Sequence, residues 1–445
     1  QPWSNGKVGM NGISYFAMNA YYVASMQPPH LAAICAWEGA ADYYRDVTYH
    51  GGILCEFLLL WFNGAVLNVQ HGQGERGPRS RITGELVAGP ETLTEDVLAK
   101  IRLDMEKWLL DRPFDSQEYR DRSPVWERVR VPMLSSANWG GQGIHPRGNF
   151  EAFTCAASRE KWLEVHGGAH WESFYTDYGL ALQKKFFGHH LKGENTGWDK
   201  QPPVQLQVRH VDKFVERHEN EWPIARTQWT KFYLHPTDCS LTREESRKHA
   251  KIEYEAMGDG VNFLTPPLRE EIEITGPVAA KLYVSSSTTD ADIFLVLRVF
   301  KPDGQEVLFR GASDPHTPIG LGWLRASHRK LDPKFTTPYQ PYHTHDEPLP
   351  LKPGEPVELD VEIWPTCIVV PPGYRLGLQV RGKDYHYGGP ALRLPGVRYE
   401  MTGVGQFLHN HPIDRPAEIF GGKYTLHFKA GQQPYLLLPI IPPKK

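Results

Sequence analysis

The chain has 445 residues, and single hydrophobic cores stop growing at roughly 250–300 residues, so two or three domains are expected. Hydrophobic residues at 40% and charged residues at 23% describe an ordinary folded protein, which excludes collagen-like and disordered classes. A net charge of -3, from 49 Lys and Arg against 52 Asp and Glu, supplies no field for nucleic acid or an anionic membrane, so a small molecule or peptide is the expected partner.

Residues 6–14 read as a short strand that runs into Gly12-Ile13-Ser14-Tyr15, followed by a helix with Ala17, Ala20 and Ala24 on one side. A serine at a tight strand-to-helix turn is the arrangement of a nucleophile elbow, whose neighbours must be small. Gly12 meets that need upstream, but Phe16 stands where a second glycine is usual. A serine that caps the helix is the other reading. Pro28-Pro29-His30 ends the helix, and Leu31 to Trp37 is a fully apolar run, as in a strand buried on both faces.

Residues 46–122 read as a helical insertion. Val97, Ile101, Met105 and Trp108 form one stripe, Phe57 to Phe62 is aromatic and apolar, and Gln70 to Arg81 reads as a loop. A second β-α-β pattern follows: a strand at 131–139, a helix at 149–158 and a strand from Lys161 to His166 that leads into Gly167-Gly168-Ala169-His170-Trp171. Phe174, Tyr178, Leu182 and Phe186 then recur every four residues, as in an amphipathic helix. A histidine after the last strand is the position of the general base in an α/β-hydrolase, and serine before histidine is that fold's chain order.

From Gln201 the pattern becomes short strands with Pro and Gly punctuation, an antiparallel sandwich. A long loop at about 313–353 carries His316, His343, His345 and Asp346, with no further ligand at a fixed offset. No metal or cofactor is expected, and the loop is expected to pack on the first domain and narrow its entrance. Five widely spaced cysteines without a C-x-x-C pair suggest neither disulfide framework nor zinc cluster. No apolar run has the length of a membrane span.

Gly6 to Tyr15, Pro28-Pro29-His30, Ala36-Trp37-Glu38-Gly39, Asp42-Tyr43-Tyr44-Arg45, Asn138-Trp139-Gly140-Gly141 and Arg147-Gly148-Asn149-Phe150-Glu151 together resemble the CocE/NonD family of Xaa-Pro dipeptidyl-peptidases and cocaine esterases. The resemblance implies an α/β-hydrolase core (1–45 and 123–200), an inserted helical cap (46–122) and a C-terminal jelly-roll sandwich (201–445). It also implies strands upstream of residue 1, absent from this chain and expected as a separate bound segment. Ser14 matches the nucleophile and His170 the base, and the backbone N–H of Tyr15 is the expected oxyanion donor.

The family's aspartate is missing, because Gly141-Gln142 stands near its position. Glu38, at the end of the strand after the nucleophile helix, is the preferred substitute, ahead of Asp42, Glu151 and Glu172. Trp37, Trp139 and Trp171 flank these residues and are expected to line the pocket. The implied activity is hydrolysis of an ester, or less readily an amide, through an acyl-enzyme. Acyl transfer, cyclisation or rearrangement of a natural product, and a non-catalytic binding role, are the alternatives. A dipeptidyl-peptidase needs an anion for the substrate's free amine, and the sequence identifies none. The chain is expected to be cytoplasmic, and a homo-oligomer is left open.

Overall fold

The computed structural model describes residues 1–391 and 400–443. A six-stranded sheet is built from β1 (Val8–Ile13), β2 (Leu31–Trp37), β5 (Met133–Asn138), β6 (Lys161–His166), β7 (Val204–Arg209) and β8 (Phe214–Glu219), in that spatial order. The first five run parallel, and β8 returns antiparallel to β7. Helix α1 (Tyr15–Met26) crosses from β1 to β2, and Ala17, Ala20 and Ala24 let it lie close against the sheet. β2 is apolar throughout because both of its faces are covered.

Between β2 and β5 lies the insertion. It contains the short hairpin β3 (Tyr49–His50) and β4 (Ile53–Leu54), then α2 (Phe57–Trp61), α3 (Glu95–Lys100), α4 (Met105–Leu110) and α5 (Gln117–Arg120). The predicted stripe does not form one buried face. The chain breaks between α3 and α4, which leaves Val97 and Ile101 exposed, while Leu98 and Leu109 turn inward. After β5 come α6 (Pro146–Cys155), then β6, α7 (Glu172–Tyr175) and α8 (Asp177–Phe187), whose Leu182 and Phe186 pack beneath the sheet.

The remaining strands form a second sheet that folds over as a β-sandwich. They are β9 (Gln228–Leu234), β10 (Leu241–Thr242), β11 (Ala250–Glu255), β12 (Val261–Leu264), β13 (Ile272–Ser286), β14 (Asp292–Phe300), β15 (Gly320–Arg325), β16 (Val357–Val370), β17 (Arg375–Arg381), β18 (Lys423–Phe428) and β19 (Tyr435–Ile440). Alternate residues such as Leu359, Val361 and Ile363 point into its core.

Two expectations need correction. The strands at 204–219 belong to the first sheet, not the sandwich, because β7 continues the parallel order beside β6 and its short antiparallel return leaves the same alternation as a sandwich strand. The stretch at 313–353 is not all loop, since β15 lies within it, paired with β14.

The two sheets are joined by shared packing of Trp139, Phe150, Trp222, Cys367 and Val369, and by buried charge. Arg147 on α6 pairs with Asp46 at 2.9 Å and with Glu362 on β16 at 3.1 Å. Arg45 Nη2 donates to the carbonyl of His343 at 2.8 Å, so the 313–353 stretch does pack on the first domain. Among the described residues no helix is long and apolar enough to cross a membrane.

Candidate active site

β1 delivers the chain into Ser14 with φ 60° and ψ -116°, backbone angles that cost energy for any residue with a side chain. Ser14 makes no side-chain cap to α1, so the capping reading fails, and its hydroxyl faces the cavity at the sheet's edge. Gly12 is required by proximity: a Cβ there would lie 2.3 Å from the Cβ of Phe16. Tyr15 is the first helical residue, so its N–H has no acceptor within the helix and stays available at the elbow.

Glu38 closes β2 with φ 47° and is 2% exposed. Its Oε2 accepts from His170 Nδ1 at 2.7 Å and from Asn138 Nδ2 at 3.3 Å. Its Oε1 lies 3.4 Å from Nε2 of His166, whose Nδ1 in turn meets Glu164 at 2.9 Å. Burial alone would push the Glu38 carboxyl up, but the two imidazoles outweigh it and hold the group well below the usual carboxylate range. Burial would likewise lower His166, yet Glu164 and Glu38 raise it to about 10, which makes it a buried imidazolium between two carboxylates. Of the other acids considered, Asp42 pairs with Arg45, Glu151 holds Gln340, and Glu172 accepts from the N–H of Ala169.

The hydrogen-bond partner of the Ser14 hydroxyl is not His170. Oγ lies 3.1 Å from Nε2 of His145, a buried residue just before α6. The His145 ring stacks on His170 with centroids 4.8 Å apart and planes at 15°. Burial, reinforced by His170, lowers His145 to about 3, so it is neutral at ordinary pH and a weak base. Its Nδ1 is buried without a partner. An orphaned N–H is the rarer and costlier defect, which favours the tautomer with the proton on Nε2, donating to Ser14.

His145 and His166 carry no signal in the sequence pattern. His145 sits on the loop after β5, where the family resemblance places an aspartate, and His166 is the last residue of β6. Gln142, on the same loop, is structural: it donates to the carbonyl of Pro365 at 3.2 Å and accepts from the N–H of Leu321 at 3.4 Å. Glu38, His145 and His170 each bring one possible ligand atom within 4.8 Å of the others.

The cavity above Ser14 has a volume of about 620 Å³. Phe16, Phe57, Trp61, Ile144, Trp171 and Phe407 line it, and no Asp, Glu, Lys or Arg does among the described residues. Trp171 is thus where the sequence suggests. Trp37 and Trp139 are not: both are fully buried, Trp37 against the rings of His166 and Phe174 and Trp139 against the sandwich, where its Nε1 donates to the carbonyl of Gln207. Strand-end residues alternate between faces, and these two point away from the cavity.

Residues 1–172 match the X-Pro dipeptidyl-peptidase (S15 family) model and residues 196–433 match the X-Pro dipeptidyl-peptidase C-terminal non-catalytic domain. A Mycobacterium bovis protein described as a serine esterase is 24% identical, with 94% of this chain and 77% of that protein covered. The cocaine esterase of Rhodococcus sp. is 23% identical, covering 86% of this chain and 74% of the relative. Among solved structures, a CocE/NonD family hydrolase from Staphylococcus aureus is similar with a TM-score of 0.83 and 29% identity, over 99% of this chain and 73% of that one.

Proposed function

The chain belongs to the CocE/NonD family of X-Pro dipeptidyl-peptidase-like hydrolases, and from that premise we propose that it hydrolyses an uncharged, apolar ester at Ser14, with His170 as base and Glu38 in place of the family's aspartate. The observation that carries the assignment is the 2.7 Å hydrogen bond between Glu38 Oε2 and His170 Nδ1. An ionised carboxylate there fixes the imidazole's orientation and stabilises the imidazolium that forms during reaction.

In the proposed sequence, Ser14 Oγ keeps the hydrogen bond it accepts from His145 Nε2 and turns its own proton toward His170, whose Nε2 makes no hydrogen bond to a described residue. Oγ attacks the ester carbon and its proton passes to His170 Nε2. The Tyr15 N–H receives the charge on the carbonyl oxygen. His170 then protonates the leaving alcohol, and a water molecule, activated the same way, releases the acid from Ser14. The neutral His145 holds Oγ before attack and steadies the negative charge that grows on it.

The cavity supports a neutral substrate. With no acidic side chain among its described lining residues, it offers nothing to hold the free ammonium of a dipeptide. Hydrolysis of neutral aryl esters, set against that of an Xaa-Pro anilide, tests this. Turnover of the esters that is lost in Ser14→Ala is expected, and preference for the charged anilide would overturn the reading.

A further inference from the structure

Outside the catalytic cavity, three side chains from distant parts of the sequence meet in the interior. His50 ends β3, Cys55 follows β4, and His409 lies on the sandwich loop before β18. All three are buried, and one ligand atom from each lies within 4.8 Å of the others.

The hydrogen bonds fix both imidazole tautomers. His50 Nε2 faces the carbonyl oxygen of Asp46 at 3.1 Å, and His409 Nδ1 faces the carboxylate of Asp384 at 2.8 Å. Both partners only accept, so these two nitrogens carry the protons, and a neutral imidazole has only one. The remaining nitrogens, His50 Nδ1 and His409 Nε2, therefore present lone pairs to each other across 2.8 Å. Two facing lone pairs repel, and a positive centre between them removes the conflict. That centre is either a proton or a metal ion.

Three observations favour the metal. Cys55 brings a thiol to the same point, a ligand that proton sharing between imidazoles does not use. The outer partners, one carboxylate and one backbone carbonyl, are those that orient metal-bound histidines. Charge also balances: a divalent ion, the Cys55 thiolate and the Asp384 carboxylate sum to zero in a space enclosed by Trp323, Trp364 and Phe294. We propose that His50, Cys55 and His409 bind a zinc ion, with a water molecule as the fourth ligand of its tetrahedron. Borderline Zn²⁺ suits one thiolate and two imidazoles. Ligation releases the thiol proton to solvent, and two Zn–N bonds of about 2.0–2.1 Å need the nitrogens to part to roughly 3.3 Å.

The site joins the β3–β4 hairpin to the sandwich. Cys55 also packs with Phe57, Ile144 and Phe407, which line the cavity, so the metal stiffens that wall from behind.

The test is metal analysis of the full chain, purified from zinc-supplemented medium and dialysed. One zinc ion per chain is expected, with loss in Cys55→Ser and in His409→Gln, and a lower Tm after chelation that added zinc restores. Cobalt(II) loaded into the stripped protein should give a thiolate-to-cobalt charge-transfer band that Cys55→Ser abolishes. Because Cys55→Ser is nearly isosteric, it keeps the test valid if His409→Gln fails to fold. Folded wild-type protein that binds neither zinc nor cobalt, or a Cys55→Ser protein that retains the zinc and the band, overturns the site and leaves the shared proton.

Discussion

Glu38 Oε2 lies 2.7 Å from His170 Nδ1, at the end of the strand that follows the nucleophile helix. On the proposed assignment, the acid of this site lies at the end of β2 and not on the strand-end loop after β5. That loop position is held by Gly141 and by Gln142, which pins the loop to the sandwich. The same loop instead sends His145 to the serine.

If Glu38 orients and stabilises His170, Glu38→Gln keeps the side chain's size but loses the charge. A fall in kcat of about 10³–10⁴-fold with little change in KM is expected, by analogy with loss of the acid in serine triads. Steady-state kinetics on an aryl ester measure it.

His145 and His170 should respond differently. His145→Gln keeps an N–H near Ser14 and should lose less than about tenfold in kcat/KM, whereas His145→Ala should lose about 10²–10³-fold, the scale of one missing donor to a developing charge. His170→Gln should lose about 10⁶-fold, the scale of removing the base from a serine triad. Because His145 is neutral above about pH 3, the acid limb of the rate profile should be unchanged in His145→Gln.

His166 makes stability depend on alkaline pH. Its folded value of about 10 lies above the ordinary histidine value near 6.5. Its contribution is therefore complete below about pH 6.5 and is lost progressively as pH rises through about 10. Melting temperature should fall across that window in the wild type. In His166→Gln the protein should start less stable, and the part of the fall due to this group should vanish.

Arg147 is buried between Asp46 and Glu362. Arg147→Met leaves both carboxylates without their shared counterion, and a loss of about 3–5 kcal/mol in stability is expected, the usual cost of breaking a buried pair from one side. Urea denaturation followed by tryptophan fluorescence reads the change.

Ser14, Glu38 and His170, the proposed catalytic residues, are legible in the sequence because each follows closely on a strand that the pattern marks. Burial patterns alone hide the rest. His145 depends on how the loop after β5 folds back over the elbow, and His166 on two carboxylates brought together from β2 and β6. Trp37 and Trp139 flank the proposed catalytic residues in sequence, yet the pleat turns both from the cavity. The hairpin β7–β8 reads like a sandwich strand pair, since alternation reports one covered face without saying what covers it.

The central claim is that Ser14 is the nucleophile and that Glu38 acts on it through His170. Labelling with a neutral fluorophosphonate, followed by peptide mass spectrometry and timed at fixed probe concentration, tests it most directly. The expected result is a label on Ser14 alone, formed at least about 100-fold more slowly in Glu38→Gln and His170→Gln but less than about tenfold more slowly in His145→Gln. A folded protein left unlabelled at Ser14, or labelled as fast without Glu38 as with it, would contradict the claim.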